Sequence, residues 1–339
     1  MVVTANLQKD ILILAIESSC DDTAASIIRN GKILSNKVAS QGIHEQYGGV
    51  VPELAGRAHQ QNIVPVVDVA LHNAGVSLHQ LSAIAFTKGP GLIGSLMVGC
   101  SFAKSLAQSL SIPLIGIHHM EAHVLAHFID EPKPQFPFLC LTVSGGHTQI
   151  VKMNDYFSSE ILGKTIDDAA GEAFDKAAKI LQLPYPGGPF VDKYAKLGNP
   201  KAFLFPQPNI PDLDYSFSGI KTSFLYFLQK KMKENPSFIE EELYDLCASI
   251  QYTFIKHLMK KLVQASVQTG IKEISLAGGV SANSGLRLAI EEEGEKRAWN
   301  TYIPAFEYCT DNAAMIAIAA HYKFLRGEFE TLQTAPFAR

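Results

Sequence analysis

Two stretches of this chain, a domain's length apart, follow one pattern. In the first, an apolar run at residues 11–16 leads into Glu17-Ser18-Ser19-Cys20-Asp21-Asp22-Thr23. A second apolar run follows at residues 24–28, then a turn at Asn30-Gly31 and a third run at residues 33–38. In the second stretch, residues 138–143 lead into Ser144-Gly145-Gly146-His147-Thr148, then residues 149–151 and a turn at Asn154-Asp155. Each reads as strand, small polar loop, strand, turn, strand. Such a repeat predicts two related lobes. Strand signals at residues 82–87, 113–117 and 272–276 alternate with a helical stretch at residues 94–110 and a helix expected after Ala277-Gly278-Gly279. That alternation predicts an α/β fold. Pro132, Pro134 and Pro137 mark residues 130–137 as the linker between lobes, and residues 200–211 read as an irregular excursion within the second. A length of 339 residues agrees with two domains, at roughly 150 residues each.

Composition narrows the function classes. Apolar residues at 47% and charged residues at 18% exclude low-complexity disorder. The balance of 29 basic against 33 acidic residues gives a net charge of −4, unlike a stand-alone nucleic-acid binder. Contact with nucleic acid must come from a local patch or a partner. The lysines at 230, 231 and 233, and at 256, 260 and 261, are such patches or else ordinary helix surfaces, and residues 230–234 read as a solvated helix end. Cys20, Cys100, Cys140, Cys247 and Cys309 are odd in number and include no CxxC pair. They read as buried free thiols in a reducing compartment. The run at residues 11–16 is too short for a signal-peptide core and lacks a cleavage site, and no stretch approaches the ~18 apolar residues of a membrane span. A cytoplasmic protein is expected, with the residues before Ile11 as a short extension.

The motifs sort by chemistry. Gly89-Pro90-Gly91-Leu92-Ile93-Gly94 is a literal GxGxxG after a strand. The next strand ends in His118-His119 rather than in the acid a dinucleotide site needs, and Ser95 stands where a Walker loop has lysine. The loop therefore serves another ligand or helix–strand packing. In His118-His119-Met120-Glu121-Ala122-His123, the imidazoles of His119 and His123 share one helix face and can chelate a metal. A zinc-protease reading fails, because Glu121 lies about 200° around the helix from His119. Asp311 is either a helix cap or an anionic ligand, and spacing alone does not join it to the histidines. Glycine loops at residues 144–148, 186–189 and 278–283 are ordinary turns or places where backbone N–H groups meet an anion, with nucleotide between the lobes. Residues 167–176 read as a helix with Asp168, Glu172, Asp175 and Lys176 near one face.

These motifs together resemble one family. ESSCDDTA (17–24), HMEAH (119–123), VSGGHT (143–148), DDAAGEAFDKAAK (167–179), YPGGP (185–189), SFSGIKT (216–222), GGVSAN (278–283) and CTDNAAMIA (309–317) run in the order of the tRNA threonylcarbamoyladenosine transferases, the TsaD family once described as glycoproteases. SGGHT with its histidine is similar to the bacterial and organellar branch rather than the archaeal one, and the lack of a transit-peptide signature favours the bacterial side of it. The resemblance implies the actin-like ATPase superfold, two ribonuclease-H-like lobes with a central cleft. It implies lobes at residues 1–129 and 130–325, and a tail at 326–339 packing back on the first. It implies one divalent metal, Fe2+ in preference to Zn2+, on His119, His123 and Asp311. Contacts to the adenylate intermediate would come from Val143, Ser144, Gly145, Gly146, His147, Asp175, Gly188, Asp192 and Asn283, with His147 a candidate general base. The activity implied is transfer of a threonylcarbamoyl group from its adenylate to N6 of adenosine 37 in tRNAs reading A-starting codons, with release of AMP. The implied partners are tRNA, a TsaB-like paralogue, a TsaE-like ATPase and a separate adenylate synthase, with no membrane. Two other readings compete: a non-catalytic scaffold of the same fold, and an actin-like-fold kinase with a small acceptor.

Overall fold

Strand β1 (Leu12–Glu17) is buried along its whole length. A strand apolar on both faces needs cover on both, which places it inside a helix-flanked sheet. In this computed structural model, which describes residues 10–338, β1 is the central strand of its sheet. The extension read before Ile11 lies, but for Asp10, outside the described residues. Strand β2 (Thr23–Arg29) pairs antiparallel with β1, and β3 (Lys32–Ala39) pairs antiparallel with β2. The turn between them takes φ of 50° at Asn30 and 83° at Gly31, as a hairpin turn with two left-handed positions requires. Strands β4 (Ala83–Gly89) and β5 (Leu114–His118) complete the order β3-β2-β1-β4-β5, both parallel to β1. Helices α1 (Pro52–Ala74) and α2 (Ile93–Leu110) pack with this sheet, where Ile63, Val67, Ala103 and Phe86 share one core. Helix α3 (His119–Leu125) follows β5 without a break.

The second sheet repeats this topology. Strands β6 (Phe138–Val143), β7 (Thr148–Asp155), β8 (Ser158–Lys164), β9 (Glu273–Ala277) and β10 (Asn300–Tyr302) run in the order β10-β9-β6-β7-β8. Read from the other edge, this is the order of the first sheet, with β6 in the place of β1. Helices α4 (Ala170–Ile180), α5 (Gly187–Ala195), α6 (Ser218–Glu234), α7 (Phe238–Glu241), α8 (Leu243–Thr269) and α9 (Ser284–Arg297) belong to this unit. Along α8, Leu246, Ile250, Phe254, Leu258 and Leu262 are fully buried at four-residue spacing, one stripe turned to the core. Phe254 meets Phe174 edge-to-face at 5.0 Å between centroids.

Two expectations need correction. The chain divides into two units, Met1–Gln41 with Val50–Ile129 and Asp311–Arg339, and Gly42–Gly49 with Asp130–Thr310. The boundary expected at residue 325 therefore falls at Asp311. The cause is helix α10 (Ala313–Arg326), whose residues 313–321 are all buried and pack on β1, β2 and β3. An Ala-rich helix that is apolar all round needs cover on every side. Beyond it, the Glu330 N–H donates to the Leu114 carbonyl at 2.8 Å and the Phe337 N–H to that of Lys88 at 3.0 Å. The helix expected from residue 167 begins instead at Ala170. Asp167 is held outside it, accepting from the Phe217 N–H at 2.8 Å and from the Ser216 and Ser218 hydroxyls at 2.5 and 2.6 Å. Asp168 pairs with Lys176 at 2.7 Å and Lys221 at 3.1 Å from the same loop. Among the described residues, no helix is long and apolar enough to cross a membrane.

His257 lies fully buried in the second core, edge-on to Tyr215 and Phe217. Burial, then repulsion from Lys261 and Lys260, lowers its pKa from 6.5 to about 4. The unfolded chain therefore binds this proton at a higher pH than the native one. Stability should fall as pH drops from about 6.5 towards 4. Denaturant titrations across that window should show a shallower acid slope for His257→Gln, and an unchanged slope would contradict the assignment.

Candidate metal centre and nucleotide loops

The metal candidates are carried by three elements of the first unit. His118 ends β5 and caps α3, its Nδ1 accepting from the Glu121 N–H at 3.4 Å. The turn that follows places His119 and His123 side by side, ring centroids 4.7 Å apart and edge-to-face. Asp311 stands just before α10. The cap of that helix is Asn312, whose side chain accepts from the Met315 N–H at 3.1 Å. Asp311 is thus free of the capping role that sequence left open. Its Oδ1 lies 3.2 Å from Nε2 of His123 and 3.5 Å from Nε2 of His119. One donor atom from each of the three residues falls within 4.8 Å of the others.

A fourth residue, not singled out from sequence, completes the arrangement. Glu17 ends β1 with no exposed surface. Its Oε2 is 3.2 Å from Nδ1 of His119 and takes the Thr87 hydroxyl at 2.6 Å, while Oε1 takes the Ser19 N–H at 2.5 Å. A carboxylate on one imidazole nitrogen fixes the tautomer and presents the other nitrogen as a ligand. Burial disfavours the His119 cation, but the charges of Glu17 and Asp311 outweigh it and raise its pKa to about 9. Burial likewise opposes the Asp311 carboxylate, yet His119 and His123 pull its pKa down to about 2. Without a cation the site is thus a buried cluster whose two carboxylates favour positive charge. Two imidazoles and one carboxylate suit a non-haem ferrous or a catalytic zinc ion. Glu121 is turned elsewhere: its charged neighbours are Lys323 and Glu328.

The GxGxxG stretch supports this unit by close packing. A Cβ on Gly91 would come 2.4 Å from the Ser19 carbonyl. That carbonyl also accepts the Leu92 N–H at 2.7 Å. The loop from β4 to α2 thereby fixes the loop that follows Glu17.

The nucleotide candidates lie in the second unit. In the loop after Val143, the Ser144 N–H donates to the His147 carbonyl at 2.8 Å, and the His147 N–H donates to the Ser144 hydroxyl at 3.0 Å. Gly145 and Gly146 sit at the tip, exposed, with nothing within 4 Å of a Cβ built on either. The loop rests on α4: a Cβ on Gly171 would meet the Ser144 carbonyl at 2.6 Å. Asp175 caps α5, accepting from the Gly187 and Gly188 N–H groups at 2.8 and 3.1 Å. Burial raises its pKa against those bonds. Asp192 accepts from the Ser284 hydroxyl at 2.8 Å and from Gln251 Nε2 at 3.2 Å. Asn283 donates to Gln251 Oε1 at 2.7 Å and caps α9 through the Leu286 N–H at 2.9 Å. The structure thus joins Asp192 and Asn283 through Gln251, a residue that carried no sequence signal. Gly278, at φ 87°, approaches so near that a Cβ would lie 2.5 Å from the Val143 carbonyl, bringing two glycine loops together. One patch needs correction: Lys261 is buried, its Nζ donating to the carbonyls of Ile210 and Asp212 at 2.7 and 2.5 Å, so it offers RNA nothing.

A sheet order shared by two units, each opening with an antiparallel triplet, is that of the actin-like ATPase superfold with ribonuclease-H-like lobes. In keeping with this, the dehydratase component A of Acidaminococcus fermentans superposes with a TM-score of 0.56 at 14% identity, covering 92% of this chain and 98% of its own. A sequence profile for tRNA N6-adenosine threonylcarbamoyltransferase (TsaD) matches residues 32–318. A protein of that name from Christiangramia forsetii is 63% identical over 94% of each chain, and one from Riemerella anatipestifer is 60% identical over 98% of each. The chain belongs to the tRNA N6-adenosine threonylcarbamoyltransferase family.

Loss of an outer-shell partner costs a metal site roughly 10–100-fold in affinity. Glu17→Gln should weaken Zn2+ or Co2+ binding within that range, and His119→Ala should abolish it, in titrations of metal-stripped protein. Equal affinity in Glu17→Gln and the unaltered chain would remove Glu17 from the site.

Proposed function

We propose that this chain transfers the threonylcarbamoyl group of threonylcarbamoyl-AMP to N6 of adenosine 37 in tRNAs reading A-starting codons, releasing AMP. What supports the reading most is near-full-length identity of 63% to a relative bearing that name. The donor is a mixed anhydride and needs no covalent enzyme nucleophile. The N6 nitrogen bonds to the carbamoyl carbon, the bond from that carbon to the phosphate oxygen breaks, AMP leaves with the electron pair, and N6 loses a proton. The protein's work is orientation and stabilisation of developing charge.

His119, His123 and Asp311 would hold one divalent metal, Fe2+ favoured over Zn2+ because two histidines and a carboxylate match the ferrous facial triad. When bound, the metal would supply a Lewis acid for the threonylcarbamoyl carbonyl. Glu17 would keep His119 oriented. Ser144 would shape the loop after Val143 so that the amides of Gly145 and Gly146 face phosphate or carbonyl oxygens. Asp175 or Asp192 would accept ribose hydroxyls, Asn283 would position the adenylate, and the Gly188 backbone would lie against the nucleoside. His147 is the candidate base for the N6 proton.

The substrate tRNA is the partner that the family implies. A TsaB-like paralogue, a TsaE-like ATPase and a separate synthase making the adenylate would complete the system in the cytoplasm, where tRNA is modified.

The test supplies labelled threonine, ATP, bicarbonate, the synthase and both partners. Label should reach a transcript carrying adenosine 37 and not one carrying guanosine there. Steady ATP turnover by this chain alone, without tRNA and with phosphate passed to a small acceptor, would favour a kinase of this superfold instead. If His147 is the base, His147→Ala should lower kcat by about 10²–10⁴-fold with adenylate affinity kept; an unchanged kcat would exclude it.

A further inference from the structure

Arg287, on the first turn of α9, commits Nε and Nη2 of its guanidinium to partners within the second unit. Its Nε donates to the Ser281 carbonyl at 2.7 Å. Its Nη2 donates to the Pro304 carbonyl at 2.7 Å and approaches the Cys309 sulfur at 3.1 Å. Its plane lies over the Phe306 ring, 4.0 Å from the centroid. One side chain thus ties the glycine loop at residues 278–283 to the segment at residues 304–309. Cys309 itself is buried, and the chain then runs through Thr310 directly into Asp311.

Neither segment has a regular ladder to hold it. The first is a single 3-10 turn (Gly279–Ala282) and the second contains another (Phe306–Tyr308). Their carbonyls are satisfied by a fork of fixed geometry, which lysine cannot reproduce because its ammonium is a single point on a flexible stem. We propose that Arg287 is a positioning residue that braces the adenylate loop and the run-in to the metal ligand Asp311 as one body. Loosening it would disturb both binding functions together, although the side chain touches neither ligand. The inference rests on the roles proposed above for residues 278–283 and Asp311.

Arg287→Lys and Arg287→Ala test this beside Arg297→Lys, a control on the surface of the same helix. Hydrogen exchange, followed by mass spectrometry, should quicken at residues 278–283 and 304–309 together in both Arg287 variants, with β6 and α1 unchanged. Co2+ affinity and AMP affinity should both be lowered in the two Arg287 variants, while Arg297→Lys alters neither. Faster exchange in only one segment, or both affinities unchanged, would overturn the brace. Failure of the unaltered protein to bind Co2+ or AMP would instead count against the proposed function, and the exchange result would still judge the brace.

Discussion

A carboxylate with no exposed surface must be paired or be neutral, and this constraint organises the first unit. Glu17 closes the central strand of its sheet, where burial opposes its charge. His119, Thr87 and the Ser19 amide answer that cost together. Satisfying Glu17 fixes His119, and fixing His119 orients the nitrogen that faces Asp311. The structure around it follows. The GxGxxG loop presses on Ser19, α3 starts at the end of β5, and α10 begins just beyond Asp311. Each of these elements holds a member of the cluster in place by packing.

The second unit solves a different problem with the same topology. Its strand β6 ends at Val143 and runs into the Ser144-Gly145-Gly146 loop, with no carboxylate at the position that Glu17 holds in the first unit. Space is left around Gly145 and Gly146, where a Cβ would meet nothing, while Gly171 and Gly278 let α4 and the 278–283 loop approach the same turn. Crowding at those two glycines and space at the other two are parts of one arrangement. A side chain at the crowded positions would push the loop away, and one at the open positions would fill the space beside the loop. The Asp192–Gln251–Asn283 chain of hydrogen bonds then links α5, α8 and α9 behind it.

Much of this was legible in the sequence, for physical reasons. Fully buried strands read as apolar runs, and Asn30-Gly31 declared its hairpin, so the first triplet could be read before the sheet was seen. In the second, the turn expected at Asn154-Asp155 lies inside β7, and β8 is too exposed to read as an apolar run. The start of α4 could not, because Asp167 and Asp168 look helical by spacing. They are drawn out by Ser216, Ser218, Lys176 and Lys221, which include partners some fifty positions along the chain. The return of the chain at Asp311 was hidden too: α10 gives no sign of which sheet it covers. Asp311 joins the histidines only through that fold, and spacing left it open between a helix cap and a ligand. Glu17 did leave a signal, a charged residue ending a wholly apolar strand, and burial of such a residue points to a partner. Gln251 left none, since one polar residue on a long helix is ordinary.

The most direct test of the account is metal dependence of the transfer step itself. Protein stripped of metal, given preformed threonylcarbamoyl-AMP, the proposed partner proteins and tRNA, should transfer no threonylcarbamoyl group. Return of one equivalent of Fe2+ should restore transfer to the unaltered chain and leave His123→Ala inactive. Full transfer by the stripped protein, or equal rescue of His123→Ala, would contradict the role given to the His-His-Asp cluster.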